Sequence, residues 1–354
     1  MARPSRESRR KNPTLVHGVF APTFDGRREL EILHAAGDVT ALVDKGLAVV
    51  ADMHAHGWAD EHVAEAEHLL ADGLVRAGRQ PEAVDHLEVA LDITAEPDRR
   101  LVFLRLLTTW SRQLARDLQV EEHARALLES PERADRSRAL TALAGVALLR
   151  DGDLGRALAL SDGALELRGG DAVEDDALRR RGLFGRALIL VEAERWLEAD
   201  AAVAALLAHP RRPAGVGDLS HVRAAGLDAV LHATTAAHVG DLPRAQAAID
   251  EAWRLLADAP DEVQAELLFA TAQVEQIGGA DEAADRHLQD AMARATSDTS
   301  AWTRAKVSRQ VARVAASRGD RASADAWYAH AVAILHHLDR SRLAYELDAE
   351  RRAD

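Results

Sequence analysis

The chain has 354 residues, of which 47% are apolar and 4% aromatic, and its formal net charge at pH 7 is −14. It contains no cysteine, which excludes disulfides, thiolate zinc ligands and cysteine nucleophiles. The negative charge argues against sequence-independent binding of nucleic acid, because most of that affinity is attraction to phosphates. No apolar run approaches the roughly 20 residues that cross a bilayer. We therefore expect a cytoplasmic protein without a membrane span.

Residues 1–26 differ in composition from the rest of the chain. Residues 1–13 are basic and contain two prolines, and residues 14–26 carry Phe20 and Phe24 between prolines and glycines. Such a basic stretch buries little apolar area, so we predict a mobile tail followed by an extended segment. Two roles are considered: the basic tail contacts an acidic partner, or residues 13–24 occupy a binding groove of the same chain or of a second copy.

Residues that typically begin and end helices recur from residue 27 to about residue 340. In the clearest turns Gly ends one helix, Asp caps the next, and Pro is tolerated in the first helical turn. On either side of these turns, small residues recur in pairs twelve positions apart. Small side chains let two antiparallel helices approach closely, so the pattern predicts a stack of helical hairpins. The pairs are Ala71/Ala83, Gly145/Ala157, Ala187/Ala199, Ala233/Ala245, Ala272/Ala284 and Ala312/Ala324.

Two further hairpins match this pattern less well. The interval between Ala83 and Ala157 has room for a degenerate one, and a first one precedes residue 57. This brings the total to about eight. Residues 341–354 are polar and predict a terminal helix that caps the stack. The residues that fit the two weaker hairpins are Leu30, Leu33, Val39, Leu42 and Val49 for the first, and Ser111, Leu114, Val120, His123, Leu127 and Ser130 for the third.

The paired small residues resemble the signature of the tetratricopeptide repeat (TPR), and the resemblance covers most of residues 28–340. From Ala157 onward the second-helix residues follow one another at intervals of 42, 46, 39 and 40, longer than the usual 34. Lengthened repeats resemble the bacterial regulator and signalling branch of the superfamily. The resemblance implies an all-α, right-handed superhelical solenoid whose concave groove binds a protein or peptide.

In this family the groove is lined mainly by first helices, at positions three before and one, four and five after the small residue. Some of the side chains at these positions pack against the next repeat instead. The Lys and Asn clamp with which some relatives hold a chaperone's terminal carboxylate has no counterpart here. Carried over, the groove candidates are His68, Asp72, Arg76, Arg150, Phe184, Glu192, Thr234, His238, Phe269, Gln273, Gln276, Arg309 and Arg313.

Two of these candidates suggest a specific chemistry. Arg309 and Arg313 are four residues apart, on one face of a predicted helix, and are spaced to bind a carboxylate or phosphate. The alternative is an ordinary solvated face whose charge Asp320 and Asp325 balance.

Residues 52–68 concentrate four histidines, His54, His56, His62 and His68, among acidic residues. A metal site is one interpretation, but His62, Glu65 and His68 step by three and so spread around a helix, and no two histidines have the four-residue helical spacing of a zincin site. A polar loop and a surface helix are the simpler account. No phosphate-binding loop, nucleophile elbow or nucleotide fingerprint is present, and no cofactor is expected.

The sequence therefore predicts a non-catalytic scaffold or adaptor that binds a protein or peptide segment in its groove. The first alternative is a cytoplasmic regulator of the TPR superfamily that senses a ligand or peptide. The second is an enzyme or metal-binding protein that uses residues 52–68. Self-association through the N-terminal segment or first hairpin is also considered.

Overall fold

A computed structural model describes residues 25–167, 172–209, 219–338 and 340–353. The predicted tail and most of the extended segment, residues 1–24, lie outside these ranges, so their proposed roles stay predictions. Within them the chain forms α-helices, one short 3-10 turn at Asp298–Ser300 and no β-strand. The helices are α1 Asp25–Ala36, α2 Val39–His56, α3 Asp60–Arg76, α4 Gln80–Ile93, α5 Pro97–Gln113, α6 Asp117–Leu128, α7 Arg133–Leu149, α8 Leu154–Glu166, α9 Ala172–Glu192, α10 Trp196–Leu207, α11 Leu219–His238, α12 Leu242–Leu256, α13 Asp261–Ile277, α14 Asp281–Arg294, α15 Ala301–Ser317, α16 Arg321–His337 and α17 Ser341–Ala353.

The first sixteen helices form eight hairpins, from α1/α2 to α15/α16, and α17 packs against α16. The predicted all-α stack of about eight hairpins is confirmed. The superhelical hand stays a prediction. None of the helices in the described ranges combines the length and apolar character that a bilayer crossing requires.

The predicted small-residue pairs lie where the two helices of a hairpin meet. All but one of these residues are buried, with exposed fractions of 5% or less: Ala71, Ala83, Ala157, Ala187, Ala199, Ala233, Ala245, Ala272, Ala284, Ala312 and Ala324. Gly145 is the exception, because it is half-buried and an added Cβ would meet nothing within 4 Å. Close approach of the helices therefore explains the Ala pairs and does not explain Gly145.

The third hairpin keeps the twelve-residue spacing with larger residues. The positions of α5 and α6 that correspond to the small pairs are Thr108 and Val120, which are each 1% exposed. The Thr108 hydroxyl donates to the Leu104 carbonyl at 2.7 Å, so its polar group is satisfied inside its own helix. Because neither residue is small, the sequence pattern does not show this register.

The turns use the expected backbone chemistry. Asp153, Asp241 and Asp320 each accept a backbone N–H at the start of the second helix, at 2.9–3.2 Å. Glycine usually occupies the left-handed position of the turn, but Ala115 (φ 54°) and Glu194 (φ 55°) occupy it in hairpins three and five. L-residues adopt this conformation at some cost.

Both of these turns lie in a contact between distant parts of the stack. The C-terminal unit, α15–α17 with the 3-10 turn before it, packs against the turn edges of hairpins three, four and five. Ala115 is buried in a cluster with Ala301 and Leu338. Glu194 lies 3.4 Å from Arg309 and 3.6 Å from Arg313. The two unusual turns therefore present side chains to this contact.

A buried ion pair lies in the same contact. Arg340 donates to both carboxylate oxygens of Asp117 at 3.0 and 3.2 Å across 223 residues of sequence, and both side chains are at most 5% exposed. The Arg340 guanidinium also lies 4.3 Å from the centre of the Trp302 ring. The stack therefore closes on itself, in contrast to an open array in which each repeat contacts only its neighbours.

Candidate functional site: the concave groove

The odd-numbered first helices form the inner side of the curved stack. Direct packing recurs between α5 and α7, α7 and α9, α9 and α11, α11 and α13, and α13 and α15. Among the described residues, second helices of neighbouring hairpins do not pack in this way. The first helices are therefore closer together and line the concave surface, which is called the groove below.

Candidates on α3 are engaged with neighbouring side chains. The Asp72 carboxylate accepts from His34 of α1 at 2.9 Å and pairs with Arg76 at 2.8 Å. His68 packs against Phe103, with ring centres 5.2 Å apart, and burial lowers its pKa. Asp72 and Arg76 thus help to hold α1 on α3, while His68 remains half-buried at the surface.

The candidates at the end of α7, on α9 and on α11 differ in accessibility. Arg150 pairs with Glu121 at 2.6 Å and with Asp151 at 2.7 Å. Phe184 packs on the apolar cluster between α9 and α10 and stays half-buried. Thr234 is only 7% exposed and donates to the Val230 carbonyl, so it lies inside the stack.

His238 stacks on an aromatic ring at the α9–α10 turn. Its ring lies 3.6 Å from that of Trp196 at an interplanar angle of 15°, and its Nδ1 lies 2.9 Å from the Thr234 carbonyl oxygen. Burial lowers the pKa of His238. A neutral ring that donates from Nδ1 is the form that fits these contacts.

The charges at the α13–α15 end of the groove neutralise one another. Lys306 Nζ lies 3.1 Å from Glu266, 3.7 Å from Glu192, and 5.6 Å from the centre of the Phe269 ring. Burial alone would lower the pKa of Lys306, but the two carboxylates outweigh burial and raise it. Gln276 accepts a hydrogen bond from Gln310, and Gln273 is half-buried on the same helix.

Arg309 and Arg313 already hold a carboxylate of their own chain. Both donate to Glu350 of α17, and both lie near Glu194. Burial alone would raise the pKa of Glu350, but its bonds to Arg313 and Arg309 outweigh burial and lower it. Their charge is therefore balanced by Glu350 and Glu194, and not by Asp320 and Asp325. This pair is engaged in closing the stack.

Sequence reasoning missed three arginines on consecutive first helices: Arg112 on α5, Arg138 on α7 and Arg181 on α9. Arg112 follows Thr108 by four residues, which is an inward position once the register of hairpin three is known. Arg138 and Arg181 lie seven and six residues before their hairpins' small residues, outside the positions carried over from the family. Because Thr108 and Val120 are not small, the pattern of small pairs could not place Arg112.

The three guanidinium groups repel one another across the groove. Burial and repulsion from Arg138 lower the pKa of Arg112, and burial and repulsion from Arg138 and Arg112 contribute to a lowered pKa of Arg181. Helix α7 lies between α5 and α9 and packs against both. Arg112 is exposed to water, yet protein surrounds it closely enough to desolvate it. Such a position is typical of a concave channel.

The histidines of residues 52–68 point to different partners. His54 and His86 both lie against the buried carboxylate of Glu67, at 2.7 and 2.6 Å. His62 lies 3.1 Å from Arg27, and His56 pairs with Asp52. No group of three His, Cys, Asp or Glu side chains in the described ranges is arranged to hold a metal ion.

No protein-family model matches the sequence, and no curated protein matches it. Solved structures match by fold. Aspartyl phosphate phosphatase F from Bacillus subtilis has a TM-score of 0.58 at 10% identity, over 90% of this chain and 96% of that one. A Rap protein complexed with competence and sporulation factor has a TM-score of 0.54 at 12% identity, over 93% and 96%.

A tetratricopeptide repeat protein from Parabacteroides merdae has a TM-score of 0.53 at 16% identity, over 76% of this chain and 93% of that one. These likenesses concern the fold, and they agree with the paired positions twelve residues apart in the hairpins described above. The chain therefore shares the all-α helical-hairpin fold of these solved structures, one of which is a tetratricopeptide repeat protein.

Proposed function

We propose that the protein is a non-catalytic scaffold or adaptor that binds a protein or peptide segment along its groove. The observation that carries the proposal is the inner surface of first helices, which presents half-buried polar and aromatic side chains such as His68, Phe184 and Gln273. A rigid stack orders these side chains during folding, so a ligand bears less of that entropic cost. The Rap protein structure named above contains a bound factor, which supports ligand binding by this fold.

The proposal of a non-catalytic role rests on the chemistry of the same surface. The sequence contains no recognised catalytic motif, and the carboxylates of the groove are committed to arginine, lysine or histidine partners. Binding by shape and charge is therefore what the groove side chains are equipped to do.

Selection from a random peptide display library tests this proposal. The variant His68→Ala/Gln273→Ala changes two groove positions on separate helices. The control, Val89→Ala/Arg286→Ala, changes exposed positions on the second helices α4 and α14. We expect enriched peptides to bind wild type and control equally and the groove variant at least tenfold more weakly, with circular dichroism unchanged. A library without enriched peptides, or peptides that bind the groove variant equally, would contradict the proposal.

A ligand-sensing regulator is the second candidate, and the closure of the stack favours it. The C-terminal unit meets hairpins three to five through one buried ion pair, a small apolar cluster and exposed ion pairs. A ligand in the groove would lie between the C-terminal unit and hairpins three to five and would change the distance between them. Small-angle scattering with a selected peptide distinguishes the two: a changed radius of gyration favours the regulator, and an unchanged one favours the scaffold.

A further inference from the structure

We propose that Arg112, Arg138 and Arg181 form an anion-binding site on the floor of the groove and that its ligand is an acidic peptide segment. This inference rests on the proposed function and specifies the ligand class. We call these three residues the arginine cluster. They come from three helices in succession, α5, α7 and α9.

The three arginines of the cluster make few contacts with carboxylates of the chain. Arg112 makes no hydrogen bond or ion pair with any residue that the structure describes. Arg138 has one long contact, 3.4 Å to Asp135 Oδ1. Arg181 donates only to a backbone carbonyl, that of Ala134, at 3.2 Å.

The carboxylate nearest the arginine cluster is already saturated. Asp135 accepts two hydrogen bonds from Arg105, at 2.6 and 2.7 Å, and one from Ser130 at 2.8 Å. It therefore has little capacity left to neutralise Arg138. Arg112 and Arg181 therefore form no ion pair with a carboxylate of the described residues, and attraction to Asp135 does not outweigh burial and repulsion at Arg181, in a chain whose formal net charge is −14.

The contrast with the α15 end identifies this cluster as the anion site. Lys306, Arg309 and Arg313 each have a carboxylate within 3.1 Å. An incoming anion would have to displace those partners, whereas at the arginine cluster it would relieve repulsion. Guanidinium groups bind carboxylates through paired, charge-assisted hydrogen bonds.

The arrangement favours an extended segment with several carboxylates over a single anion. Packed helices lie roughly 8–10 Å apart, and alternate side chains of an extended peptide are about 7 Å apart. A peptide that crosses α5, α7 and α9 in turn can therefore place an acidic residue near each arginine. The basic N-terminal tail, with Arg9 and Arg10, has the wrong charge to occupy this position.

Fluorescence anisotropy with a fluorescein-labelled hexaglutamate peptide tests the inference, with hexaglutamine as the neutral probe. The key variant is Arg112→Glu, and Arg286→Glu on the convex helix α14 is a control with the same change in charge. We expect wild type and Arg286→Glu to bind hexaglutamate alike and Arg112→Glu to bind at least tenfold more weakly. Hexaglutamine should bind none of them.

Thermal unfolding supplies a readout that a merely structural role would not give. A glutamate at position 112 would lie near Arg138 and Arg181 and relieve their repulsion. We therefore expect Arg112→Glu to unfold at the same or a higher temperature than wild type while it loses the acidic peptide. Loss of both binding and thermal stability would indicate a structural role and overturn the inference.

Other results of these experiments would also overturn the inference, or separate it from the proposed function. Absence of hexaglutamate binding to wild type, equal binding by the two charge variants, or equal binding of hexaglutamine would each overturn it. So would a phosphoserine peptide of matched charge that binds more than tenfold tighter than hexaglutamate, because that would assign the site to phosphate. If neutral peptides from the display library bind the groove and hexaglutamate does not, the proposed function stands and this inference fails. If no peptide of any composition binds, both fail.

Discussion

The buried ion pair between Asp117 and Arg340 should determine whether the C-terminal unit stays attached to hairpin three. Asp117→Ala would leave the Arg340 guanidinium buried without its carboxylate, between the Trp302 ring and the α5–α6 turn. In an open solenoid, a substitution in hairpin three would leave hairpin eight unaffected, since repeats interact only with neighbours. Here we expect a change on α6 to loosen α15 and α16.

The magnitude follows from the burial of the pair. Removing one partner of a buried ion pair costs about 3–5 kcal/mol. Since 1.4 kcal/mol corresponds to a factor of ten, detachment of the unit should become about a hundredfold to a few thousandfold more frequent. Removing Glu194, whose pairs with Arg309 and Arg313 are 37–49% exposed, should cost only about 0–1 kcal/mol.

Hydrogen exchange provides the assay, because it reports local opening where a repeat array does not unfold in one step. Protection of α15 and α16 is compared in wild type, Asp117→Ala, Arg340→Ala and the double variant. Asp117 is also the first residue of α6, where a carboxylate favours the helix N-terminus. That contribution is lost in both Asp117 variants, so it cancels in the double-mutant cycle.

We expect a coupling energy between Asp117 and Arg340 well above 1 kcal/mol, with the double variant less destabilised than the sum of the single variants. A coupling energy near zero, or a loss of protection in α15 that Glu194→Ala reproduces in full, would refute the reasoning. The first result would show that the Asp117–Arg340 pair does not hold the C-terminal unit, and the second that the exposed pairs of Glu194 hold it as strongly as the buried pair does.

Two further predictions concern a pair of glycines and a histidine. Gly145→Ala should raise the free energy of unfolding by about 0.5–1 kcal/mol, because nothing lies within 4 Å of the added methyl group. Gly226→Ala should lower the free energy of unfolding, because its methyl group would lie 2.4 Å from Leu256 Cγ in the core. Urea denaturation of both variants tests these opposite signs, and a stabilised Gly226→Ala would contradict the packing. His238 has a pKa lowered by burial, so below its ordinary value of 6.5 the unfolded chain binds more protons and stability falls as the pH drops through that range. His238→Phe keeps the stacking on Trp196, and its urea midpoint should fall less than that of wild type between pH 7.5 and 5.5; an equal fall would mean that other groups cause the pH dependence.

Much of the fold was predictable because its determinants are local. Helix propensity, turn glycines and capping aspartates act within a few residues, and a twelve-residue spacing places Ala71 opposite Ala83 whatever lies elsewhere in the chain. The third hairpin was predicted only as a degenerate one, without its register, because Thr108 and Val120 fill the positions of the small pair with larger side chains. Its register depended on how α5 and α6 pack, and the inward position of Arg112 depended on that register.

The sequence predicted which helices line the groove, but not which of their side chains are accessible there. The sequence placed His68, Phe184 and Gln273 on first helices, but it also placed Thr234 there, which packs inside the stack. Which charges remain available depended on partners far away in sequence, such as Glu350 for Arg313. Ion pairs of this kind have no sequence spacing to reveal them.

The helices, their pairing into hairpins and the order of the stack could be predicted from the sequence, because those features arise from contacts between residues close along the chain. It could not be predicted that the stack closes through Asp117 and Arg340, that Arg309 and Arg313 are neutralised within the chain, or that Arg112 and Arg181 form no ion pair within the described residues. These features depend on the curvature of the stack. Many small rotations between hairpins add up to bring residues 223 positions apart into contact. The charged groups that surround a side chain therefore depend on the rotations of all the hairpins between them.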